Sequence, residues 1–109
     1  MRAPNEETRD KLVDVLYSRQ AFSEIGELYS RGGVTPKTDE QTILQMAESL
    51  SRIGQVTKSI QLLESALPLR QGSSALYLSL ARYYQVAGNN VKASEMEEKA
   101  KALAAHPTT

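Results

Sequence analysis

The sequence predicts an all-α protein made of three stacked helical hairpins. Apolar residues recur at intervals of three and four along nearly the whole chain, the spacing of an apolar stripe on a helix. The period-two alternation typical of strands does not occur in the sequence. A turn signature is also repeated, because Gly54 and Gly88 lie 34 residues apart, and so do Lys58 and Lys92. We therefore expect six helices of roughly 12 residues, paired as hairpins.

The apolar stripes fall into six groups, which we interpret as the buried faces of six successive helices. The predicted core residues are Leu12, Val13 and Leu16; Phe22, Ile25, Leu28 and Tyr29; Ile43, Met46, Ala47 and Leu50; Val56, Ile60, Leu63 and Leu67; Tyr77, Leu80, Ala81 and Tyr84; and Ala93, Met96, Ala100 and Leu103. Two further tyrosines, Tyr17 and Tyr83, are expected to be partly exposed.

Residues that favour helix ends separate these groups. Gly32–Gly33 is expected to end the second helix, because glycine readily adopts the left-handed conformation found there. Thr38 or Asp39 is the predicted cap of the third helix, and Ser73 or Ser74 is that of the fifth.

Residues 41–69 and 75–103 form a 34-residue repeat. Their alignment contains seven identities in 29 positions, where average residue frequencies give about two by chance. The identical pairs are Leu44/Leu78, Ala47/Ala81, Gly54/Gly88, Lys58/Lys92, Glu64/Glu98, Ala66/Ala100 and Leu69/Leu103. We interpret Ala47 and Ala81 as small residues at points where the two helices of a hairpin approach closely. The first unit matches less well, and Gln20 stands where the other units have glycine.

The three units place large, small and aromatic residues at matching positions. They are Tyr77, Leu80, Ala81, Tyr84, Gly88, Ala93 and Ala100 in the third; Ile43, Met46, Ala47, Leu50, Gly54, Leu63 and Ala66 in the second; and Leu12, Val13, Leu16, Tyr29 and Gly32 in the first. This pattern resembles the tetratricopeptide repeat, with departures at Ser59, where an alanine is usual, and at Glu97, where a bulky apolar residue is usual. The resemblance implies a right-handed superhelix in which neighbouring hairpins bury each other.

The resemblance also implies how the chain is divided. The expected divisions are a linker-like N-terminus at 1–5, one domain at 6–105 with repeats at about 6–38, 39–72 and 73–105, and a tail at 106–109. The outer face of the last helix reads Glu95, Glu97, Glu98, Lys99 and Lys101, which is typical of a repeat that ends an array.

In arrays of this kind the first helix of each unit lines a concave groove that binds a partner. The positions that the resemblance assigns to this groove are Asp10, Asp14, Tyr17, Leu44, Gln45, Glu48, Arg52, Leu78, Arg82 and Gln85. Leu44 and Leu78 are not needed for hairpin packing, so we expect them to contact an extended or helical segment of a partner protein. The alternative is that they pack between successive first helices.

One end of this groove is acidic, with Asp10, Asp14 and Glu48. A well-known variant of the family binds the C-terminal carboxylate of heat-shock chaperones with Lys, Asn and Arg residues. The matching positions here are Asp10, Asp14, Gln45, Ala75 and Ser79, and none of them is basic. We therefore predict no chaperone-tail binding of that type. A peptide with Lys or Arg beside an apolar residue suits the acidic end better, with an affinity that falls with salt.

Composition disfavours several other classes of protein. Lysines and arginines number 13, as do aspartates and glutamates, and no unit departs from neutrality by more than one charge, which argues against nucleic-acid binding. The absence of cysteine excludes disulfides, thiolate catalysis and cysteine-based zinc sites. No run of about 20 apolar residues occurs, so we expect a soluble chain without direct membrane insertion, in the cytoplasm or periplasm. No cofactor or metal is expected.

The sequence does not predict catalysis. Its one histidine, His106, lies next to Pro107 near the end of the chain. Adjacent carboxylates such as Glu97 and Glu98 point in different directions on a helix, so they do not form an acid–base pair. We therefore predict a non-catalytic protein-interaction module. The alternatives are a self-association (homodimer) module, in which Val15 and Tyr17 pair two copies, or a scaffolding or regulatory domain excised from a larger enzyme or membrane-associated protein.

Overall fold

Six α-helices follow one another in the computed structural model, which describes residues 4–70 and 72–105. They are α1 (Pro4–Ser18), α2 (Phe22–Gly32), α3 (Glu40–Arg52), α4 (Val56–Ala66), α5 (Ser74–Val86) and α6 (Asn90–Ala105). A short 3₁₀ helix, Leu67–Leu69, extends α4 through Pro68. No strand occurs in these ranges, and the prediction of an all-α fold with six helices is confirmed.

The helices pair as three hairpins, α1–α2, α3–α4 and α5–α6. The first helices pack directly on one another, α1 on α3 and α3 on α5, whereas α2 packs on α3 and α4 packs on α5. The first helices therefore form one continuous layer. Between hairpins, Asp39 and Ser73 occupy the N-cap positions of α3 and α5, and the Ser73 hydroxyl accepts the Leu76 N–H at 3.4 Å.

All three hairpin turns have the same hydrogen-bonding pattern. The N–H that follows the turn residue donates to a carbonyl five residues earlier, at 2.8–2.9 Å. The donor–acceptor pairs are Ala21 to Leu16, Gln55 to Leu50 and Asn89 to Tyr84. This Schellman arrangement requires a positive φ at the turn residue, and φ is 59° at Gln20, 81° at Gly54 and 83° at Gly88. The first unit thus makes the same turn without glycine.

Small residues bring α3 and α4 together. Ser59 is fully buried, and its hydroxyl donates to the Ala47 carbonyl at 2.6 Å. This contact confirms the close approach predicted at Ala47, and it explains why serine replaces the usual alanine. Another close approach lies between α2 and α3, where a Cβ on Gly26 would stand 3.4 Å from the Leu50 side chain of α3 and 3.3 Å from that of Ile53, which follows α3.

The core runs through all three hairpins and contains at least one buried residue from every helix. Two sequence predictions about burial were wrong. Leu12, predicted to be in the core, is 44% exposed, because α1 begins the array among the described residues. Tyr83, predicted to be partly exposed, is 3% exposed. Leu62 and Leu76 are fully buried although the stripes did not include them.

The first described helix begins at Pro4 and the last ends at Ala105. Helix α1 begins at Pro4, whereas the predicted boundary is at residue 6. Residues 1–3 and the predicted tail, 106–109 with His106, lie outside the described residues. In the described part of the chain, no helix combines the length and apolar character needed to cross a membrane.

Candidate functional site

The layer formed by α1, α3 and α5 carries a connected row of side chains, which we call the groove face. We define it by the polar residues Asp14, Gln41, Gln45, Glu48, Arg52 and Arg82 and by Tyr17, Leu44, Leu78 and Val86. Helical spacing places these residues on one side of each helix, and hydrogen bonds link the sides of α1 and α3.

The centre of the groove face is a linked set of aromatic and charged groups. The Tyr17 hydroxyl donates to Glu48 at 2.7 Å, and Arg52 donates to the other carboxylate oxygen of Glu48 at 3.2 and 3.3 Å. The Arg52 guanidinium lies 5.6 Å from the ring centroid of Phe22, which meets Tyr17 edge to face at 6.0 Å. The hydrogen bond to Glu48, followed by burial, raises the pKa of Tyr17 above its ordinary value.

Asp14 holds two glutamine side chains at one end of the groove face. Gln41 and Gln45 both donate their amide N–H to Asp14 Oδ1, at 3.2 and 3.0 Å. Gln45 is 8% exposed, and its Oε1 is buried with no hydrogen-bond partner among the described residues. The side-chain donors thus converge on Asp14, and an acceptor remains unsatisfied.

Two surface hollows adjoin these glutamines. The first, about 280 Å³, is lined by Tyr17, Glu40, Gln41, Leu44, Gln45 and Glu48. The second, about 170 Å³, is lined by Asp10, Lys11, Asp14, Asp39, Gln41, Thr42 and Gln45. Both contain Gln41 and Gln45, so the hollows are neighbours around one pair of side chains.

The α5 part of the groove face is more apolar. Leu78, Arg82 and Val86 lie at i, i+4 and i+8, and Leu78 and Val86 are 54% and 64% exposed. The Arg82 guanidinium lies 5.7 Å from the Tyr83 ring centroid. Gln85, also predicted to face a partner, is exposed and donates to Glu97 on α6 at 3.2 Å.

The predicted groove residues differ in how much surface they offer. Asp10 is 6% exposed and accepts the backbone N–H of Asp39 at 3.4 Å, so it supplies charge to the acidic hollow but little contact area. Leu44 is partly buried against the core and also lines the larger hollow. Leu78 is the more accessible leucine of the pair.

Sequence reasoning left two residues of this region out of the site. Phe22, predicted to be in the core, is half-buried between Tyr17 and Arg52. Tyr83 lies near the same charges, and burial raises its pKa. Tyr83 follows Arg82 directly in the sequence, but helical spacing alone does not show that its ring is buried in the core. Within 4–70 and 72–105, no group of three His, Cys, Asp or Glu side chains could hold a metal ion.

Comparison with solved structures supports the repeat architecture. The structure titled "MamA MSR-1 C2" superimposes with a TM-score of 0.75 at 16% sequence identity, covering 94% of this chain. The chain therefore has a tetratricopeptide-like helical fold. The chain spans 59% of the length of that structure. No protein-family model and no curated protein sequence matches the chain.

Proposed function

We propose that this chain is a non-catalytic protein-interaction module. Its groove face binds an extended or helical segment of a partner protein. The residues that make the contact are the predicted set, with Tyr17, Leu44 and Leu78 as apolar contacts and Glu48, Arg52 and Arg82 as a polar surround.

The exposed apolar stripe on α5 is the observation that carries this proposal. Leu78 and Val86 leave more than half of their surface in solvent, while Leu76, Leu80 and Tyr84 on the same helix are buried. The hairpins therefore pack without them. Apolar side chains that are rimmed by polar groups and lie on a connected face are typical of protein-binding sites.

The charges of this face favour some partners over others. Asp10 and Asp14, which line the smaller hollow, lie at positions where the chaperone-binding variant of the family has Lys, Asn or Arg residues, and Glu40 lines the neighbouring hollow. A partner that presents a free carboxylate here would be repelled. The prediction that the chain does not bind chaperone tails in that manner is therefore part of the proposal.

Substitution of the two leucines tests the proposal. The immobilised chain would capture proteins from its source cells, and Leu44→Ser with Leu78→Ser should release those that the unmodified chain retains. The matched control is Val91→Ser, because Val91 is 72% exposed but lies on α6. Circular dichroism checks that each variant is folded. Retention of the same proteins by the folded double variant would refute groove binding.

Self-association is a second candidate function, and a separate surface favours it. Leu12 and Val15, at i and i+3 on α1, are 44% and 47% exposed and form an apolar strip. Tyr17, expected in this strip, instead points toward Glu48. Light scattering over a range of concentrations should show a dimer that Val15→Lys dissociates. A monomer at all concentrations would remove this candidate.

A further inference from the structure

We infer that the two hollows around Gln41 and Gln45 form a subsite for one cationic side chain, lysine or arginine, of the partner segment. This inference rests on the proposed function, since it names the chemistry that one end of the groove face recognises. Four features of the described residues carry it: the direction of the amides, the local charge, the buried oxygen of Gln45 and an apolar wall.

The two amides leave acceptor atoms on residues that line the hollows. Gln41 and Gln45 both direct their N–H groups to Asp14 Oδ1. Their carbonyl oxygens, together with Asp14 Oδ2, therefore remain to receive hydrogen bonds. A lysine ammonium brings three N–H donors and an arginine guanidinium brings five, and neither has an acceptor. A cation is thus the side chain whose hydrogen bonding complements this lining.

The charge around the two hollows is mainly negative, which also favours a cationic side chain. Five carboxylates line the two hollows, those of Asp10, Asp14, Asp39, Glu40 and Glu48. One lining residue is cationic, Lys11, and it pairs with Glu7 at 3.6 Å. Arg52 partly neutralises Glu48 at 3.2 Å. Asp14 and Glu40 remain as the carboxylates that attract an incoming cation.

Gln45 provides evidence that is independent of charge. Its side chain is more than nine-tenths buried, and its Oε1 has no hydrogen-bond partner among the described residues. A buried acceptor without a donor is costly, and such atoms require an explanation in a native structure. Gln45 lines both hollows, so a donor that enters either one approaches the side chain that carries this oxygen.

Leu44 and Tyr17 form the apolar wall of the larger hollow. Lysine and arginine carry aliphatic stems that pack on apolar surface while the charged end reaches polar groups. The wall and the acceptors therefore suit the two parts of one side chain. The volume, about 280 Å³, is that of a side-chain subsite and is smaller than most small-molecule pockets.

NMR titration with blocked amino acids tests the subsite directly. The probes are N-acetyl-arginine methylamide and N-acetyl-lysine methylamide, compared with their neutral counterparts, the citrulline and norleucine derivatives. The side-chain NH₂ resonances of Gln41 and Gln45 report on the hollows. We expect saturable shifts of these resonances with the two cations, weaker shifts as salt is added, and none with the neutral probes.

Charge-removing variants complete the test. Asp14→Asn and Glu40→Gln should each weaken the binding of the arginine probe by about five-fold or more, because a charge-assisted contact is lost. Glu95→Gln is the matched control, since it removes one negative charge from the exposed side of α6 and should leave binding unchanged. Circular dichroism verifies that the variants are folded.

Three results would overturn the inference: equal shifts with the neutral probes, no shift with any probe, or equal weakening by Glu95→Gln. The proposed function is judged separately. If Leu78→Ser abolishes partner capture while the cations leave Gln45 unperturbed, groove binding stands and the cationic subsite is wrong. If the cations bind but the folded leucine double variant retains all partners, the hollows bind a cationic side chain and groove binding of the partner is wrong.

Discussion

In the first hairpin, Val13 and Ile25 are fully buried at the positions that Ala47 and Ser59 occupy in the second. The third hairpin has two alanines at these positions, so hairpins two and three pair small residues where the first pairs large ones. Contact within the hairpin is also least extensive between α1 and α2 and most extensive between α5 and α6. We therefore expect the larger buried residues to hold α1 and α2 farther apart than the helices of the other two hairpins.

The turn of the first hairpin also differs from those of the other two, because it carries a larger residue. Gln20 adopts a positive φ of 59°, which is uncommon for residues other than glycine, whereas Gly54 and Gly88 adopt similar values without steric cost. The three turns nevertheless make the same hydrogen bonds. The comparison teaches that this repeat tolerates different side-chain volumes and turn residues when the backbone hydrogen bonds are kept. It also predicts that the first hairpin depends on apolar volume and the others on close packing.

Ile25→Ala should have the largest effect, because it removes the volume that separates α1 from α2. We expect a loss of about 3 kcal/mol in the free energy of unfolding, as for other buried aliphatic truncations. Urea denaturation followed by circular dichroism measures it. Val15→Ala, at a 47% exposed position on α1, is the control and should change stability little. A loss below about 1 kcal/mol for Ile25→Ala would show that the first hairpin closes like the others.

Ser59→Ile places the residue of the first hairpin in the second. We expect a loss of about 2 kcal/mol or more, since Ser59 is fully buried against Ala47 and the larger side chain would force α3 and α4 apart. Ser59→Ala should cost only about 1 kcal/mol, for the lost hydrogen bond. Both are measured by urea denaturation. Equal stability of Ser59→Ile and Ser59→Ala would mean that α3 and α4 can move apart without cost, which would contradict the prediction.

The junctions between hairpins predict different responses to alkaline pH. Tyr17 links the first two through Glu48, and Tyr84 links the last two by donating to Glu64. Burial, then the bond to Glu64, raises the pKa of Tyr84 from 10.0 to about 12. Because the fold favours the neutral phenol, this stabilisation is complete below pH 10 and is lost as pH rises through about 12.

Tyr84→Phe tests that pH dependence. The variant should be less stable than the unmodified chain by about 1 kcal/mol at neutral pH, and this difference should narrow above pH 10. Urea denaturation at several pH values measures it. Tyr17→Phe is the comparison at the more exposed junction, where we expect a smaller change. If the difference in the free energy of unfolding between Tyr84→Phe and the unmodified chain is constant with pH, the raised pKa of Tyr84 is wrong.

Turn substitutions should have the smallest effects. Gln20→Gly should stabilise the chain by about 0.5 kcal/mol. Glycine removes the steric cost of the positive φ in the folded chain, and this gain exceeds the entropy cost of ordering a more flexible unfolded chain. Gly88→Ala should destabilise it by about 1 kcal/mol for the converse reason. A Cβ on Gly88 meets no atom within 4 Å, so this effect isolates backbone conformation. Thermal melting distinguishes the two directions, and a stabilising Gly88→Ala would contradict the comparison.

Most of the fold was predictable because its signals are local and repeated. Apolar spacing and the interval between Gly54 and Gly88 were sufficient for the six helices. The turn at Gln20 was not identified as equivalent, because glutamine carries no signal for a positive φ. Periodicity also shows which face of a helix is apolar but not which neighbour covers it, so Leu12 and Tyr83 were misplaced.

The candidate site was less predictable. The family resemblance supplied the groove positions, and Leu78 was singled out because hairpin packing did not need it. The hydrogen bonds from Gln45 to Asp14 and from Tyr17 to Glu48 each join residues 31 positions apart. Such contacts depend on how two helices are offset, which no local pattern encodes. The burial of Asp10 has the same origin.

Under the proposed function, the continuous layer of α1, α3 and α5 limits the length of the partner segment that it can contact. The molecule measures 35 Å in its longest dimension. A fully extended peptide that crosses it contains about ten residues, at roughly 3.4 Å per residue, and a helix of the same length contains about 23. In the extended case the determinant is a short linear epitope. A synthetic decapeptide with the sequence of that segment would then compete with the intact partner for the groove face. It would do so without the folded remainder of the partner.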